Sequence, residues 1–225
     1  VWGMSELSCV ATAMPKGVYK IGSVGKALPG VELRLADDGE VLVRGSLVMR
    51  GYRNKPEQTR ETIVDGWLHT GDVGELDADG FLKLVDRKKE LIINAAGKNM
   101  SPANIEARIK TSSPLIGQAC VIGDGRAYNV ALVVLDPDGA MAFCKAKQLD
   151  LPLARLVAHP DVTAEIERAI LAANQHLSRV EQIKRIALLA DEWLPGGDEL
   201  TPTMKLKRKP IAAKYATRIE ALYAE

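Results

Sequence analysis

One block of the sequence, residues 64–102, contains the side chains best suited to chemistry. It begins near WLHTGD at residues 67–72, reaches the charged run DRKKE at residues 86–90 and ends in a polar, glycine-bearing loop over residues 94–101. A carboxylate accepts hydrogen bonds at two oxygens, and basic side chains pair with anionic groups. Because these groups lie between apolar, strand-forming stretches, the block predicts a site built at a junction.

Two further stretches complete a set of four motifs: WGMSE at residues 2–6 and LTPTMKLKR at residues 200–208. In order and spacing the set resembles the ATP-dependent adenylate-forming enzymes, and most closely the long-chain fatty acyl-CoA synthetases. The resemblance covers essentially the whole chain. It implies an enzyme that joins a fatty acid to the α-phosphate of ATP, expels pyrophosphate and passes the acyl group to CoA.

The resemblance implies roles for the first motif. Trp2 and Gly3 would belong to the nucleotide site, with the Trp2 ring against the adenine, while Ser5 would contact phosphate and Glu6 would help to hold Mg²⁺. The family more often has Tyr and Thr where this chain has Trp2 and Ser5, but a flat ring and a hydroxyl are kept. The simpler interpretation is a strand end with an ordinary surface glutamate.

The middle motifs imply a ribose contact and a hinge. Residues 67–72 match the family pattern Trp-x-x-Thr-Gly-Asp, in which Asp72 would accept hydrogen bonds from both ribose hydroxyls. Arg87 would approach the ribose and phosphate, and Lys89 falls where the backbone pivots between the two half-reactions. A turn and a solvated charged face are the simpler interpretations of these two stretches.

The last two assignments are also implied by the resemblance. Gly97 would line the tunnel for the pantetheine arm of CoA, where a residue without a Cβ allows close approach. Lys205 would be the catalytic lysine whose ammonium group follows the charge on the α-phosphate, a position where arginine substitutes poorly for so compact a cation. The simpler interpretation of residues 200–208 is a basic surface loop.

The elements that must position these residues differ along the chain. Alternating apolar residues around the turn DDG at 37–39 predict a β-hairpin with one buried face, and residues 73–85 predict a second hairpin. Residues 51–59 form a loop that leads into a short helix. The stretch GSVGK at 22–26 is predicted to be a turn, because Ala27 stands where a phosphate loop needs Ser or Thr. The turn at 77–80 lacks the remaining ligands of a calcium loop.

After Lys89 the pattern mixes helix and strand. Residues 91–93, 120–122, 130–135 and 186–189 are predicted strands, and Ser101 followed by Pro102 predicts a helix start. A helix beginning near Asp161 is predicted to carry one apolar stripe, formed by Val162, Ile166, Ile170, Ala173 and Leu177. An exposed loop over 199–209 and one last helix are predicted to follow.

Composition narrows the class of protein. The 225 residues carry a net charge of +1, with 47% apolar and 26% charged residues, which fits a soluble globular protein and gives no field that would attract nucleic acid. Cys9, Cys120 and Cys144 predict reduced, buried thiols and no metal site. No apolar run approaches the roughly 20 residues of a membrane span, and no signal peptide is visible. The sequence therefore predicts a cytoplasmic protein; peripheral contact with a membrane stays open.

The pattern of elements predicts an α+β protein with a boundary near residues 86–89. The resemblance implies that residues 1–85 are the β-rich end of a large ATP- and acyl-binding domain, residues 86–89 a hinge, and residues 90–225 a small mobile lid. The expected substrates are a fatty acid, ATP with Mg²⁺, and CoA. Because the chain opens inside a motif without a leading Met, we expect a fragment that is inactive by itself. Two alternatives remain open: an adenylating enzyme that loads a carrier protein, and a non-catalytic interaction module that keeps the fold.

Overall fold

The computed structural model describes residues 1–224, which divide into two compact units. The first unit is Val1–Leu91 and the second begins at Ile92. The mixture of β-sheets and α-helices confirms the predicted α+β class. The predicted hinge at 86–89 lies just before the division between the units, and its role as a hinge stays a prediction.

The first unit is built mainly from antiparallel strands and one short helix. Its elements are β1 (Thr12–Ala13), β2 (Lys26–Ala27), β3 (Val31–Leu35), β4 (Glu40–Gly45), α1 (Pro56–Thr62), β5 (Ile63–Val64), β6 (Trp67–Leu76) and β7 (Leu82–Arg87). Strand β4 lies between β3 and β6, and the long β6 pairs with β5 and β7 along its other edge. Both predicted hairpins are confirmed, as β3–β4 and β6–β7.

The core of the first unit gathers apolar side chains from the strands and from the amino-terminal residues: Trp2, Leu7, Ala11, Val41, Val43, Leu68 and Leu82. Leu42, between two core positions of β4, is also buried. The prediction of one buried face is therefore wrong for β4. The reason is that β4 is an inner strand, so Leu42 has Arg34 of β3 in register on one side and His69 of β6 on the other.

The second unit is a three-stranded sheet covered by helices. Its elements are β8 (Ile92–Ile93), β9 (Asn99–Met100), α2 (Pro102–Ser112), β10 (Ile116–Ile122), β11 (Asn129–Leu135), α3 (Pro137–Lys147), α4 (Leu153–Leu156), α5 (Pro160–Asn174), β12 (Ile183–Leu189), α6 (Arg208–Lys214) and α7 (Ala216–Ala224). The central strand β11 pairs antiparallel with β10 and parallel with β12.

Every residue of β11 is buried, because both faces of its sheet are covered. Ala131, Val133 and Leu135 face a core shared with α2 and α5, whereas Leu132 and Val134 face a second core shared with α6 and α7. Alternate residues of a strand point to opposite faces. A strand buried on both faces therefore has the continuous apolar sequence seen at 130–135.

Helices α2 and α3 of the second unit begin with the same capping arrangement. At α2 the Ser101 side chain accepts a 3.1 Å hydrogen bond from the backbone N–H of Asn104, and Pro102 occupies the first turn, as predicted. Asp136 and Pro137 begin α3 in the same way, with a 2.8 Å bond from the N–H of Gly139. Each cap satisfies a backbone N–H group that the helix itself leaves unpaired.

Several predicted details of the second unit are corrected. Helix α5 buries four of the five predicted stripe residues but ends at Asn174, before Leu177. Strand β8 is short, and Ile93 is exposed rather than buried. The single predicted last helix is two helices, α6 and α7, which meet at Tyr215.

The cysteine prediction is partly wrong. All three are free thiols, as predicted, but Cys9 is exposed, Cys144 is partly buried and only Cys120 is fully buried. Cys9 lies in the turn after the short helical segment Ser5–Leu7, outside the strands and helices that form the core of this unit.

No helix within residues 1–224 combines the length and the apolar character needed to cross a lipid bilayer.

Candidate active site

A bulge in β6 presents the Thr-Gly-Asp run of the first unit. The register of β6 against β4 shifts between the pairs Glu40–Val73 and Leu42–His69, and Gly71 within the bulge has a φ of 70°. The Thr70 hydroxyl donates a 2.7 Å hydrogen bond to the carbonyl of Val41 and accepts one of 3.1 Å from the N–H of Asp72. Thr70 therefore fixes the bulge from inside, and a left-handed glycine lets the chain turn.

Asp72 lies between two predicted site residues that are distant in sequence. Its Oδ2 accepts a 2.7 Å hydrogen bond from the indole Nε1 of Trp2, and its Oδ1 pairs with Nε of Arg87 at 2.7 Å. The Asp72 side chain is 10% exposed, whereas that of Arg87 is 54% exposed. The cluster therefore offers solvent a positioned guanidinium group, held by a carboxylate that is itself nearly covered.

This geometry bears on the predicted nucleotide contacts. Trp2 is buried in the core of the first unit and directs its N–H at Asp72, so only a small part of its ring surface is available to a base. A carboxylate has about four lone-pair positions, of which Trp2 and Arg87 use two, so Asp72 retains capacity for a ribose hydroxyl. The adenine contact of Trp2 and the ribose contact of Asp72 stay predictions.

Glu6 belongs to a second polar pair in the first unit. It lies in the short helical segment Ser5–Leu7, and its Oε1 accepts a 2.9 Å hydrogen bond from the hydroxyl of Tyr52. Burial, and the bond to Glu6, raise the pKa of Tyr52, so this hydroxyl remains a donor. Ser5 is exposed at the start of the segment. Tyr52, which orients the Glu6 carboxylate, was not predicted as a site residue.

The Mg²⁺ prediction fits a single carboxylate rather than a protein cage. Among residues 1–224 no group of three or more His, Cys, Asp or Glu side chains is arranged to hold a metal ion. Mg²⁺ is commonly held by one or two carboxylates together with substrate phosphates and water. The oriented carboxylate of Glu6 fits that use, and its role as metal ligand stays a prediction.

Packing of the backbone around residue 3 explains why a glycine is found there. A Cβ at this position would lie 1.8 Å from the carbonyl oxygen of Cys9 and 2.7 Å from the Cα of Val10. The two segments are also joined through the hydrogen bond from the N–H of Ala11 to the carbonyl of Trp2, at 2.9 Å. Glycine at position 3 is thus required by the close approach of two backbone segments.

Glu40, like Tyr52, is a residue of the candidate site that the sequence analysis missed. Its side chain is only 6% exposed, and its Oε1 accepts a 2.9 Å hydrogen bond from the N–H of Gly71. Its Oε2 lies 3.1 Å from Nδ1 of His69 and 3.0 Å from Nζ of Lys88. Lys88 also pairs with Asp38 at 2.6 Å.

The charge state of Glu40 follows from these partners. Burial by itself would raise the pKa of Glu40, but the hydrogen bonds from Lys88, Gly71 and His69 outweigh it and hold the pKa below the ordinary value. Hydrogen bonds to Asp38 and to Glu40 raise the pKa of Lys88. Glu40 is therefore a buried, ionised carboxylate. Its only sequence signal is an acidic residue directly before the apolar run Val41–Val43 of β4.

The predicted hinge residue differs from its neighbours. Lys88, Lys89 and Glu90 form one turn of 3₁₀ helix after β7. Arg87 is bound to Asp72 and Lys88 is bound to Glu40, whereas the side chain of Lys89 makes no hydrogen bond or ion pair with the residues that the structure describes. The side-chain anchors of the first unit thus reach residue 88.

Gly97 lies in a compact loop of the second unit. The side chain of Asn94 accepts hydrogen bonds from the N–H groups of Ala96 (3.0 Å) and Lys98 (2.9 Å), and Gly97 has a φ of 74°. No other heavy atom lies within 4 Å of where a Cβ on Gly97 would be. Glycine is therefore required here by its backbone conformation, and the space beside it is open to a ligand.

Lys205 is presented by a closed turn in the second unit. The N–H of Thr201 donates to the carbonyl of Lys205 at 2.8 Å, and the N–H of Lys205 donates to the Thr201 hydroxyl at 3.0 Å. Lys205 itself is exposed. The prediction of an exposed loop over 199–209 is wrong at its ends, because Glu199 and Leu200 are buried and Arg208 begins α6.

A buried ion pair fixes the carboxyl-terminal end of this turn. The guanidinium of Arg208 contacts both carboxylate oxygens of Glu106 on α2, at 2.7 and 2.8 Å, and Oε1 of Glu106 also accepts a 2.8 Å hydrogen bond from the N–H of Val121. Two parallel bonds to one carboxylate fix orientation as well as distance. The turn that carries Lys205 is therefore tied to the helix and sheet of the second unit.

The folds of both units and these clusters can be compared with known proteins. Residues 89–225 match the family described as AMP-binding enzyme C-terminal domain. The chain belongs to this family, which confirms the resemblance based on the four motifs.

Among curated relatives, the chain is 58% identical to a putative fatty-acid–CoA ligase, fadD11, of Mycobacterium tuberculosis, over all of the chain and 39% of the relative. It is 44% identical to the long-chain-fatty-acid–CoA ligase FadD15 of Mycobacterium tuberculosis, over 99% of the chain and 37% of the relative. The chain thus spans about two fifths of the length of these relatives.

A solved structure shows the same fold. The A domain of a carboxylic acid reductase from Segniliparus rugosus, in complex with AMP and a co-purified carboxylic acid, superimposes with a TM-score of 0.70 at 25% identity. The match covers 89% of this chain and 32% of the solved chain.

Proposed function

We propose that this chain supplies nucleotide-handling and thioester-forming residues of an AMP-forming long-chain fatty acid–CoA ligase. The observation that carries the proposal is the cluster of Trp2, Asp72 and Arg87, in which one carboxylate joins residues from three of the predicted motifs. The names of the relatives, both fatty-acid–CoA ligases, support the choice of reaction.

The first half-reaction forms the acyl-adenylate. A carboxylate oxygen of the fatty acid attacks the α-phosphorus of ATP, a P–O bond forms, and the bond to pyrophosphate breaks. Arg87, held by Asp72, neutralises charge near the ribose and phosphate, and Lys205 follows the charge that develops on the α-phosphate. Mg²⁺ held by Glu6 would screen the phosphate oxygens when bound.

The second half-reaction forms the thioester. The CoA thiolate attacks the acyl carbon, the C–S bond forms, and AMP leaves with its phosphate oxygen. We propose that the backbone pivots at Lys89 between the two steps, and that the open space beside Gly97 admits the pantetheine arm. Replacing Lys89 with Pro should spare adenylate formation and impair thioester formation, while Lys89→Ala, which keeps backbone freedom, should spare both.

A cytoplasmic location is part of the proposal. It is supported by the three free cysteines, since free thiols persist in a reducing compartment.

The test is thioester formation from ATP, a long-chain fatty acid and CoA, run with this chain and with the longest natural protein that contains it. In the active form, Lys205→Ala and Lys205→Arg should each lower adenylate formation by about 100-fold or more, as for removal of an electrostatic group at a transition state. Both variants should still convert supplied acyl-adenylate to thioester. Lys209→Ala, an exposed lysine four residues further on, is the matched control and should retain both steps.

Three outcomes would contradict the proposal. Acyl transfer to a carrier protein without release of acyl-CoA would favour the carrier-loading alternative. Nucleotide binding that is absent, or that persists unchanged in Asp72→Ala, would favour a non-catalytic module. Equal loss of both steps in Lys205→Ala would remove Lys205 from its assigned role.

A further inference from the structure

Glu40 is a single buried side chain that joins two functional segments of the first unit. One carboxylate oxygen holds the N–H of Gly71, in the bulge that presents Asp72, at 2.9 Å. The other oxygen holds Nζ of Lys88, one residue before the proposed pivot, at 3.0 Å.

The connection is costly to break because of where it lies. The Glu40 side chain is 6% exposed, and a buried carboxylate must be matched by donors or it destabilises the fold. Gly71, His69 and Lys88 supply those donors from three positions. The side chains of His69 and Lys88 could adopt other rotamers, but the buried charge of Glu40 favours the rotamers in which both contact its carboxylate.

Anchoring contacts of this segment fall on the two residues just before Lys89. Arg87 is bound to Asp72, and Lys88 is bound to both Glu40 and Asp38, so two consecutive side chains tie the end of β7 to the sheet. The next residue, Lys89, has an exposed side chain. A pivot needs a fixed side as well as a mobile side, since otherwise the change in backbone angles spreads over several residues.

We propose that Glu40 is a positioning residue that acts through Lys88 and Gly71 to fix the stationary side of the pivot at Lys89. This inference rests on the proposed function and deepens it. Glu40 does not touch the reacting atoms. It ties Lys88 to the bulge while the residues after Lys89 change position.

The two half-reactions should depend on Glu40 to different degrees. Adenylate formation needs Asp72 and Arg87, whose mutual ion pair at 2.7 Å remains without Glu40. Thioester formation also needs the residues after Lys89 to reach one defined second position. If Lys88 is no longer held, backbone rotation can occur before Lys89 as well as at Lys89. The residues after Lys89 then occupy the productive second position in a smaller fraction of molecules.

The experiment uses the longest natural protein that contains this chain and measures the two half-reactions separately. Glu40→Gln keeps the size of the side chain and an acceptor for Gly71 but removes the charge that holds Lys88. Lys88→Met removes the same pair from the other side, and Lys88→Arg restores a cation. Asp37→Asn, at an exposed carboxylate in the adjacent turn, is the matched control.

We expect Glu40→Gln and Lys88→Met to lower thioester formation by about fivefold or more and adenylate formation by less than about twofold, the size of effect common for residues in one network. The double variant should be no worse than the more impaired single variant, because both remove one interaction. Lys88→Arg should recover most of the loss, and Asp37→Asn should match wild type.

A second measurement does not depend on activity. Amide hydrogen exchange over residues 87–91 should be faster in Glu40→Gln than in wild type at temperatures where both are folded, because a local anchor has been removed. Asp37→Asn should leave it unchanged.

The results separate the two proposals. If wild type forms neither adenylate nor thioester, the proposed function fails. If wild type is active but Glu40→Gln lowers both half-reactions equally, or lowers neither, the positioning role of Glu40 is overturned. Exchange at 87–91 that is unchanged in Glu40→Gln overturns it in either case.

Discussion

The indole N–H of Trp2 donates a 2.7 Å hydrogen bond to Oδ2 of Asp72, a residue 70 positions later in the chain. The bond joins the amino-terminal segment to the bulge of β6, and it occupies one oxygen of the carboxylate that holds Arg87. Residue 2 therefore helps to position the Asp72–Arg87 ion pair of the candidate site, whether or not its ring contacts a ligand.

Replacing Trp2 with Phe tests this link. Phe keeps an aromatic ring in the core but cannot donate to Asp72, so a nearly buried carboxylate oxygen loses its partner. Hydrogen bonds to charged groups contribute about 1.5–3 kcal/mol, and we expect a loss of that size in the unfolding free energy of residues 1–91. Urea titration followed by hydrogen exchange of peptides from this unit measures it.

Trp67→Phe is the control for Trp2→Phe, because Trp67 is the other tryptophan of the first unit and packs under the guanidinium groups of Arg34 and Arg44. Nucleotide affinity should fall in Trp2→Phe and stay near wild type in Trp67→Phe. Equal stability of Trp2→Phe and wild type would show that the indole N–H contributes nothing.

Acid should destabilise the first unit partly through Glu40. Its pKa in the folded protein lies below the ordinary value of 4.5, because hydrogen bonds from Lys88, Gly71 and His69 outweigh the opposing effect of burial. A group with a lowered folded pKa stabilises the fold fully above its unfolded pKa, and this contribution is lost as the pH falls through the folded pKa. Wild type should therefore lose the contribution from Glu40 as the pH falls below about 4.5.

The pH series compares wild type with Glu40→Gln by urea unfolding between pH 7 and pH 3. Glu40→Gln should be less stable than wild type at neutral pH and should lose less on acidification, so that the two curves approach each other. Glu57→Gln, at an exposed position in the first turn of α1, should run parallel to wild type. Parallel curves for Glu40→Gln would contradict the assignment.

The ion pair between Glu106 and Arg208 should dominate the stability of the Lys205 turn. Arg208→Met leaves the Glu106 carboxylate buried without its bidentate partner. Breaking one side of a buried pair costs about 3–5 kcal/mol, and because Arg208 is 24% exposed we expect about 3 kcal/mol. Fluorescence of Trp193, which is buried beside Tyr215 in the second unit, reports the unfolding.

Two variants calibrate that measurement. Arg168→Met removes a largely exposed arginine that pairs with Glu165 on α5, and should change stability by less than about 0.5 kcal/mol. Combining Arg208→Met with Glu106→Gln removes the buried charge as well and should recover part of the loss. A double variant worse than Arg208→Met would mean that Glu106 acts mainly through Val121.

Cys120 should be unreactive in the folded protein. Burial, more than the nearby charge of Glu106, raises its pKa to about 12, so at pH 8 only about 10⁻⁴ of the thiol is ionised. Because the thiolate is the nucleophile, iodoacetamide should label the exposed Cys9 within minutes and leave Cys120 unlabelled until the protein unfolds. Mass spectrometry of tryptic peptides measures both sites, and rapid labelling of Cys120 in native protein would contradict its burial.

Structural features that are determined by residues close together in the chain could be predicted from the sequence. The turn at 37–39 joins β3 and β4, the cap at Ser101 starts α2, and the apolar run at 130–135 is a doubly covered strand. In each case the responsible residues lie within a few positions of one another, and propensity and periodicity are local properties. The boundary of α5 was missed because Leu177 continues the apolar pattern after the helix has ended.

The candidate site required information that the sequence does not carry locally. Glu40 meets Lys88 across 48 positions and Arg208 meets Glu106 across 102. A single sequence gives no signal for such pairs, since each partner by itself resembles an ordinary surface charge. The motifs named Trp2, Asp72, Arg87 and Lys205, whereas the supporting buried carboxylates Glu40 and Glu106 appear only in the folded structure.

The position of β12 in the sheet has a consequence for synthesis. Strand β11 ends at Leu135, but its parallel neighbour spans Ile183–Leu189, so one edge of the central strand stays open while nearly fifty further residues are made. Pairing between distant segments is slow compared with a local hairpin. During synthesis on a ribosome, β10 and β11 can therefore pair early, whereas the other edge of β11 stays unpaired until β12 has been made. In this interval the nascent chain is most exposed to binding by a chaperone or by another copy of itself.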